Sequence, residues 1–349
     1  MLNQERQINS YLLKWYTQNK RDLPWRKLYQ NNLPNPYYVF VSEYMLQQTT
    51  VNTVINRFNE FMIKWPSLDK LANATEPQIL KFWSGLGYYS RARNLLKAAK
   101  LIKQNFDSEI PNNYNDLMTL PGIGDYTAKA ILGIAYNTPV MPTDANIERI
   151  LVRLFAIEKP IIKIKDKLKN IANTFVSKKS SSDLIQSFMD YGSSVCVPRN
   201  PKCDICKINK LCESHKKNLQ SLLPLKIKKT GKKNIKYTRA YVLINEQDEI
   251  LVRNRPSKGM LASMLEVPND TWVENKKLLS HDEMISKLKT KLKLKGSIEY
   301  SFSHFDLETD IYFGNIKKNK YSQANWIKKT HYSKSGLPTV MKKIVEVAI

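Results

Sequence analysis

The chain has 349 residues, enough for two domains of ordinary size, and no apolar run approaching the ~18 residues of a membrane span, which argues against an integral membrane protein. Its formal charge of +25 favours a polyanionic partner, although Lys, Asn and Ile abound throughout and charge alone does not separate nucleic acid from an anionic surface. Residues 1–10 lack the apolar core of a signal peptide and all four cysteines fall between Cys196 and Cys212, which together predict a soluble, cytoplasmic protein whose thiols form a metal site and not disulfides.

In chain order, residues 8 to about 214 carry a helical pattern, with Val51, Val54, Ile55, Phe58 and Met62 on one face. Pro and Asn at Pro34-Asn35-Pro36, Pro66, Pro111-Asn112-Asn113 and the Pro121-Gly122 pair punctuate it, so the first two-thirds reads as an all-α domain. Glu43 lies in an apolar setting of Val39, Phe40, Val41, Met45 and Leu46, which would raise its pKa. Leu120-Pro121-Gly122-Ile123-Gly124-Asp125-Tyr126-Thr127 joins two helical stretches, and Gly122 and Gly124 permit a tight turn that exposes backbone N–H groups to a phosphate. Asp144 reads either as a helix N-cap before Ile147 or as a reactive carboxylate. The cysteines are spaced Cys196-x6-Cys203-x2-Cys206-x5-Cys212, one compact loop that can wrap a cubane cluster; zinc is the competing reading, though two short Cys-x2-Cys knuckles are commoner there. Arg199, Lys202, Lys207 and Lys210 lie among these ligands, where they could meet phosphates.

Past Leu225 the composition changes. Lys226, Lys228, Lys229, Lys232, Lys233, Lys236 and Arg239 crowd together with Gly231 and predict a basic linker over residues 225–238. Ala240 to Ile244, a polar turn and Ile250 to Val252 predict a β-hairpin; Ile311-Tyr312-Phe313 and a helix from about Met284 to Leu292 complete a small α+β domain over 239–349. The domain plan is thus 1–224, 225–238 and 239–349.

The PGIG turn, Asp144 downstream of it and the four-cysteine loop resemble the helix-hairpin-helix glycosylase superfamily, and the cysteine spacing is that of its [4Fe-4S] members. Ser42-Glu43-Tyr44-Met45-Leu46-Gln47-Gln48-Thr49 and Gly85-Leu86-Gly87-Tyr88-Tyr89-Ser90-Arg91-Ala92-Arg93-Asn94-Leu95 resemble the adenine DNA glycosylase (MutY) family more closely. The resemblance implies a helix-hairpin-helix domain with an iron–sulfur loop held by Cys196, Cys203, Cys206 and Cys212, followed by a Nudix-like domain visible in Gly259-Met260-Leu261-Ala262-Ser263-Met264-Leu265-Glu266-Val267-Pro268. No glutamate-rich Nudix box accompanies that run, so diphosphate hydrolysis is not expected of it.

Carried over residue by residue, the resemblance makes Glu43 the general acid and Asp144 the carboxylate that stabilises the cationic sugar or bonds it transiently, with Asn146 beside it. Tyr126 stands where lyase relatives of the endonuclease III type carry a Schiff-base lysine, which implies a monofunctional hydrolase with Tyr126 hydrogen-bonded toward Glu43. Ala145 departs from the family's usual glycine and would be strained if the position needs a positive φ. Gln48 and Tyr88, with Leu46, Thr49 and Leu86 beside them, are assigned to the opened base stack; Trp25, Arg26 and Gln186 to the adenine pocket; Phe302, Ser303 and His304 to reading 8-oxoguanine. The implied partner is double-stranded DNA with an A:8-oxoguanine or A:G mispair, met by a monomer associated with the nucleoid. The alternatives are an endonuclease III-like glycosylase and AP lyase for oxidised pyrimidines, against which Tyr126 counts, and a silent DNA-binding iron–sulfur protein, against which Glu43 and Asp144 count.

Overall fold

Helices in the first part of the chain start where short polar side chains can cap them. Asn35 accepts from the Tyr37 and Tyr38 amides ahead of Pro36, Asn113 accepts from Asp116, and Asp144 accepts from Ile147, each satisfying N–H groups a helix start leaves unpaired. The computed structural model describes residues 2–226, 233–256, 259–288, 290–318 and 325–349. They gather into two units, Met1–Ala74 with Ser90–Lys228, and Thr75–Tyr89 with Lys229–Ile349.

The first unit is helical: α1 (Leu2–Asn19), α2 (Pro36–Leu46), α3 (Val51–Lys64) and α4 (Leu68–Ala72). After α5 (Glu76–Phe82), which groups with the second unit, it resumes with α6 (Ser90–Asn105), α7 (Tyr114–Thr119), α8 (Asp125–Ala135), α9 (Ala145–Leu154), α10 (Lys165–Thr174), α11 (Ser181–Ser194) and α12 (Glu213–Lys216). Helix α11 packs against α1, α8 and α9, burying Leu184, Ile185, Phe188 and Tyr191. Helix α2 is apolar around its whole circumference, which suits it to the middle of the unit and draws Glu43 inside with it. The α7–turn–α8 segment forms a helix-hairpin-helix, in which Gly122 adopts φ +83° and a Cβ would meet Asn94 and Tyr44; Gly124 is extended and needs no glycine backbone, so the tight turn rests on Gly122 alone.

The second unit is built on a mixed sheet of β1 (Asn234–Ile244), β2 (Glu249–Asn254), β3 (Leu265–Glu266), β4 (Lys293–Ser301), β5 (Phe305–Asn315) and β6 (Asn325–Lys328). Strands β1 and β5 run parallel in continuous register, β4 and β5 form an antiparallel hairpin, and the predicted β1–β2 hairpin is present with Ile244 opposite Ile250. Helix α14 (Thr339–Ala348) covers one face with Val340, Met341, Ile344 and Val345. In the basic stretch, Lys228, Lys229, Gly231 and Lys232 lie outside the described residues, and β1 already begins at Asn234.

The helix predicted from about Met284 to Leu292 is one short turn, α13 (Glu283–Ser286). Leu288 and Leu292 have helical spacing, but both pack into a cluster with Tyr241, Leu243 and Leu251 of the sheet, and that contact overrides local periodicity.

Asp190, on the buried face of α11, takes the Arg21 Nε at 2.7 Å and a two-pronged contact from Arg26 at 2.7 and 2.8 Å, tying α11 to the segment after α1. Asp190→Ala leaves Arg26 buried without its partner and should cost roughly 3–5 kcal/mol. A lowered urea midpoint at unchanged slope is the expected result; a midpoint equivalent to wild type within about 0.5 kcal/mol would show that the pair contributes nothing.

Candidate active site

Glu43 sits on α2 with only 6 % of its surface exposed. Burial pushes its pKa up to about 8, a hydrogen bond with Tyr126 lowers it in part, and the charge of Asp144 raises it. Tyr126, the second residue of α8, has its phenol pushed far up, first by burial and then by the charges of Glu43 and Asp144. The Tyr126 phenol thus bonds Glu43, and both groups lie in the field of Asp144.

Asp144 is the N-cap of α9. One carboxylate oxygen accepts the Ile147 amide at 2.7 Å and the other the Asn146 amide nitrogen at 2.8 Å. Burial raises its pKa above the usual carboxylate value, and these donors offset only part of the rise by favouring the ionised form. It is half-buried, so the capping role leaves it accessible. The strain expected at Ala145 is not there. Ala145 is the exposed first residue of α9 and lies outside the set of positive-φ residues, because the extended link falls one residue earlier, at Asp144.

Asn146 is held in turn. The Arg149 guanidinium donates to Asn146 Oδ1 at 2.8 Å, to the Gly192 carbonyl at 2.6 Å and, through Nε, to the Cys196 carbonyl at 2.8 Å. Gly192 is required here because a Cβ would stand 2.6 Å from Asn146 Cβ and 3.3 Å from its Cα. Sequence reasoning passed over both Arg149 and Gly192. The available signal was an arginine three residues after Asn146 on an otherwise apolar helix face, which must be satisfied internally.

The four cysteines line one cavity, none is in a disulfide, and Arg153 and Tyr191 line it with them. The Arg153 Nη1 lies 3.3 Å from Cys196 Sγ, and the Tyr191 hydroxyl lies 3.2 Å from Cys206 Sγ, both donors to sulfur. Arg153, buried, also donates to the carbonyls of Val197 and Leu223 and so fixes the loop from α9. Among the described residues no three His, Cys, Asp or Glu side chains are drawn together closely enough for one metal ion. Four cysteine sulfurs lining one cavity are a donor set that an iron–sulfur cluster takes. Arg199, Lys202, Lys207 and Lys210 are all exposed around it.

Gln48 and Tyr88 both have left-handed backbones, φ +56° and +45°, uncommon for residues with side chains. The loop holding Gln48 is pinned by Arg91, which donates to the carbonyls of Met45 at 2.9 Å and Gln47 at 2.5 Å and to Thr49 Oγ1 at 3.0 Å. Leu46 and Thr49 are half-buried and Leu86 is buried. Ser303 and His304 are exposed at the tip of the β4–β5 hairpin beside half-buried Phe302, and the Ser303 and Tyr88 hydroxyls are 2.5 Å apart.

Arg26 and Gln186 line a cavity of about 260 Å³ together with Tyr16, Asn32 and Asp183, and Glu43 is not among its walls. There the Arg26 guanidinium is occupied by Asp190, whereas the buried Gln186 Oε1 has no hydrogen-bond partner. Trp25 is buried edge-on against Phe58.

Residues 41–176 match the model of the HhH-GPD superfamily base excision DNA repair proteins, and residues 239–347 match the NUDIX domain. The adenine DNA glycosylase of Buchnera aphidicola (subspecies Schizaphis graminum) is 33 % identical over 97 % of this chain and 98 % of its own length; that of Homo sapiens is 29 % identical over 96 % and 73 %. Among solved structures, a thermostable thymine-DNA glycosylase covers 62 % of this chain and 98 % of its own at a TM-score of 0.56 and 26 % identity. With its helix-hairpin-helix, its Nudix-like unit and near full-length likeness to such relatives, the chain belongs to the adenine DNA glycosylase family.

Proposed function

We propose that the chain is a monofunctional glycosylase that hydrolyses the glycosyl bond of adenine paired with 8-oxoguanine or guanine in double-stranded DNA. The observation that carries it is Glu43 held protonated near neutral pH beside Asp144. In the reaction the Glu43 proton passes to adenine N7 as the C1′–N9 bond breaks, and Asp144 faces the cationic sugar. Water then adds to C1′ and returns its proton to Glu43, giving free adenine and an abasic site.

Tyr126 supports hydrolysis over lyase chemistry because a phenol forms no Schiff base, and its hydroxyl is engaged by Glu43. Lys129, one turn on, pairs with Asp125 at 2.9 Å. Gly124 supports a phosphate contact, since a Cβ there would meet nothing and the α8 N-terminus opens outward. Gln48 and Tyr88 suit a wedge into the opened stack. Cys196, Cys203, Cys206 and Cys212 would hold a [4Fe-4S] cluster. Such a cluster cross-links the loop through four thiolates; glycosyl hydrolysis moves no electrons, so it has no redox step to perform.

The direct test is a single-turnover assay on an A:8-oxoguanine duplex, where strand breakage should appear only after base treatment. A break without base, through a borohydride-trapped adduct, would overturn the monofunctional reading.

Glu43→Gln should abolish adenine release and stabilise the fold. The Glu43 pKa rises from 4.5 to about 8 on folding, so the burial cost is absent below pH 4.5 and grows as pH rises toward 8. It reaches about 3 kcal/mol at pH 7 from ~1.4 kcal/mol per pH unit. Denaturation of both forms at pH 4 and pH 7 checks this, and equal gains at the two pH values would refute it. The wild-type rate should fall as pH rises through about 8.

Gly192→Ala should slow adenine release roughly 100-fold by displacing Asn146 and with it Asp144, while duplex binding by gel shift stays near wild type. An unchanged rate in a folded variant would show that this chain of contacts does not position Asp144.

A further inference from the structure

Ser303 and His304 are the two residues between Phe302, whose amide donates to the Phe305 carbonyl at 2.9 Å, and the start of β5. Ser303 in this tip bonds the Tyr88 hydroxyl, and the backbone aim of the tip also depends on where its neighbour Phe302 is held. The Phe302 ring is enclosed by Tyr300 at 4.9 Å, Phe305 at 4.9 Å and Trp272 at 5.6 Å between ring centroids. Tyr300 and Phe305 belong to the hairpin itself. Trp272 is the wall that comes from elsewhere in the chain.

Trp272 is fixed by polar contacts. Its indole N–H donates to Asn269 Oδ1 at 3.0 Å, and the Arg255 guanidinium lies over its ring at 4.6 Å. Both partners converge on Glu266, which is buried: Asn269 Nδ2 donates to Oε2 at 2.6 Å, and Arg255 Nη1 donates to the same oxygen. Arg255 also donates to the Met260 carbonyl at 3.0 Å. Met260 and Glu266 belong to the Gly259-to-Pro268 run, which no hydrolytic role explains. Trp272 and Arg255 line a pocket of about 700 Å³, so the indole is not packed on every side and depends on these contacts.

We propose that Trp272, held by Arg255 and Asn269 from Glu266, is a positioning residue that sets the Ser303–His304 tip and thereby the choice between 8-oxoguanine and guanine opposite adenine. The inference rests on the lesion-reading role given to that tip above. Trp272 acts on the tip through the Phe302 ring, so its effect falls on discrimination and leaves the chemistry intact.

The experiment measures single-turnover rates of the full chain on A:8-oxoguanine and A:G duplexes for wild type, Trp272→Leu, Trp272→Phe and Arg255→Met. Trp272→Leu should reduce the ratio of the two rates roughly tenfold to 100-fold, with the A:G rate within about twofold of wild type. Trp272→Phe should restore most of the ratio, and Arg255→Met, which leaves the indole in place, should lower it by a smaller factor. A folded Trp272→Leu that keeps the wild-type ratio, or slows both duplexes equally, overturns the proposal. If Trp272→Leu does not fold, the Arg255→Met ratio decides alone, an unchanged value counting against it. A wild-type chain with no preference between the duplexes sinks the lesion-reading assignment itself, a result read before any variant is made.

Discussion

A carboxyl drawn almost entirely out of solvent is the constraint on which the rest of the site depends. Glu43 is buried because α2 is apolar all round, and an acid on that helix is drawn inside with it. The Tyr126 phenol bonds it without supplying a charge, and the Asp144 carboxylate adds a negative field. A cation there would have restored an ordinary pKa and removed the proton donor. The same substitution that denies the site a Schiff-base amine therefore also keeps its acid protonated.

Asp144, in the field of the same phenol, is also raised by burial but is differently surrounded. Its oxygens meet N–H donors at a helix N-terminus, an environment suited to negative charge. Two carboxyls with contrasting surroundings are what acid and anion roles in one reaction demand. The anion is also tied to the cysteine loop, because Arg149 bonds both Asn146 and the Cys196 carbonyl while Arg153, one turn on, bonds Cys196 and Val197. A loop with little regular structure thus becomes a rigid support for a helix N-cap, and whatever binds the sulfurs bears on the geometry of Asp144.

Features carried by local sequence were legible beforehand. Apolar residues around Glu43, the cap before Ile147 and the clustered cysteines each follow from neighbours in the chain. What sequence could not reveal depends on contacts between distant segments. Arg149 looks like a surface charge until Gly192 and Cys196 are placed beside it, and Trp272 looks like core until Arg255 and Phe302 close on it. Leu288 and Leu292 misled in the same way, their helical spacing outweighed by the sheet face of Tyr241 and Leu243. Ala145 was misread for a subtler reason: the turn is made by an extended Asp144, a conformation any residue adopts.

Backbone strain marks one last division of labour. Residues with side chains and a positive φ cost of order 1 kcal/mol or more, and they persist where surrounding contacts over-determine them. Gln48 is such a residue, and the guanidinium of Arg91 supplies the over-determination by bonding the carbonyls just before it. Tyr88 is another, following Gly87 in a run where glycines supply neighbouring positive φ values. In both, the cost is met during folding, before any nucleic acid arrives. On the wedge role proposed for them, DNA binding would have to supply only the unstacking energy of the target base, roughly a few kcal/mol, and not the ordering of the protein as well.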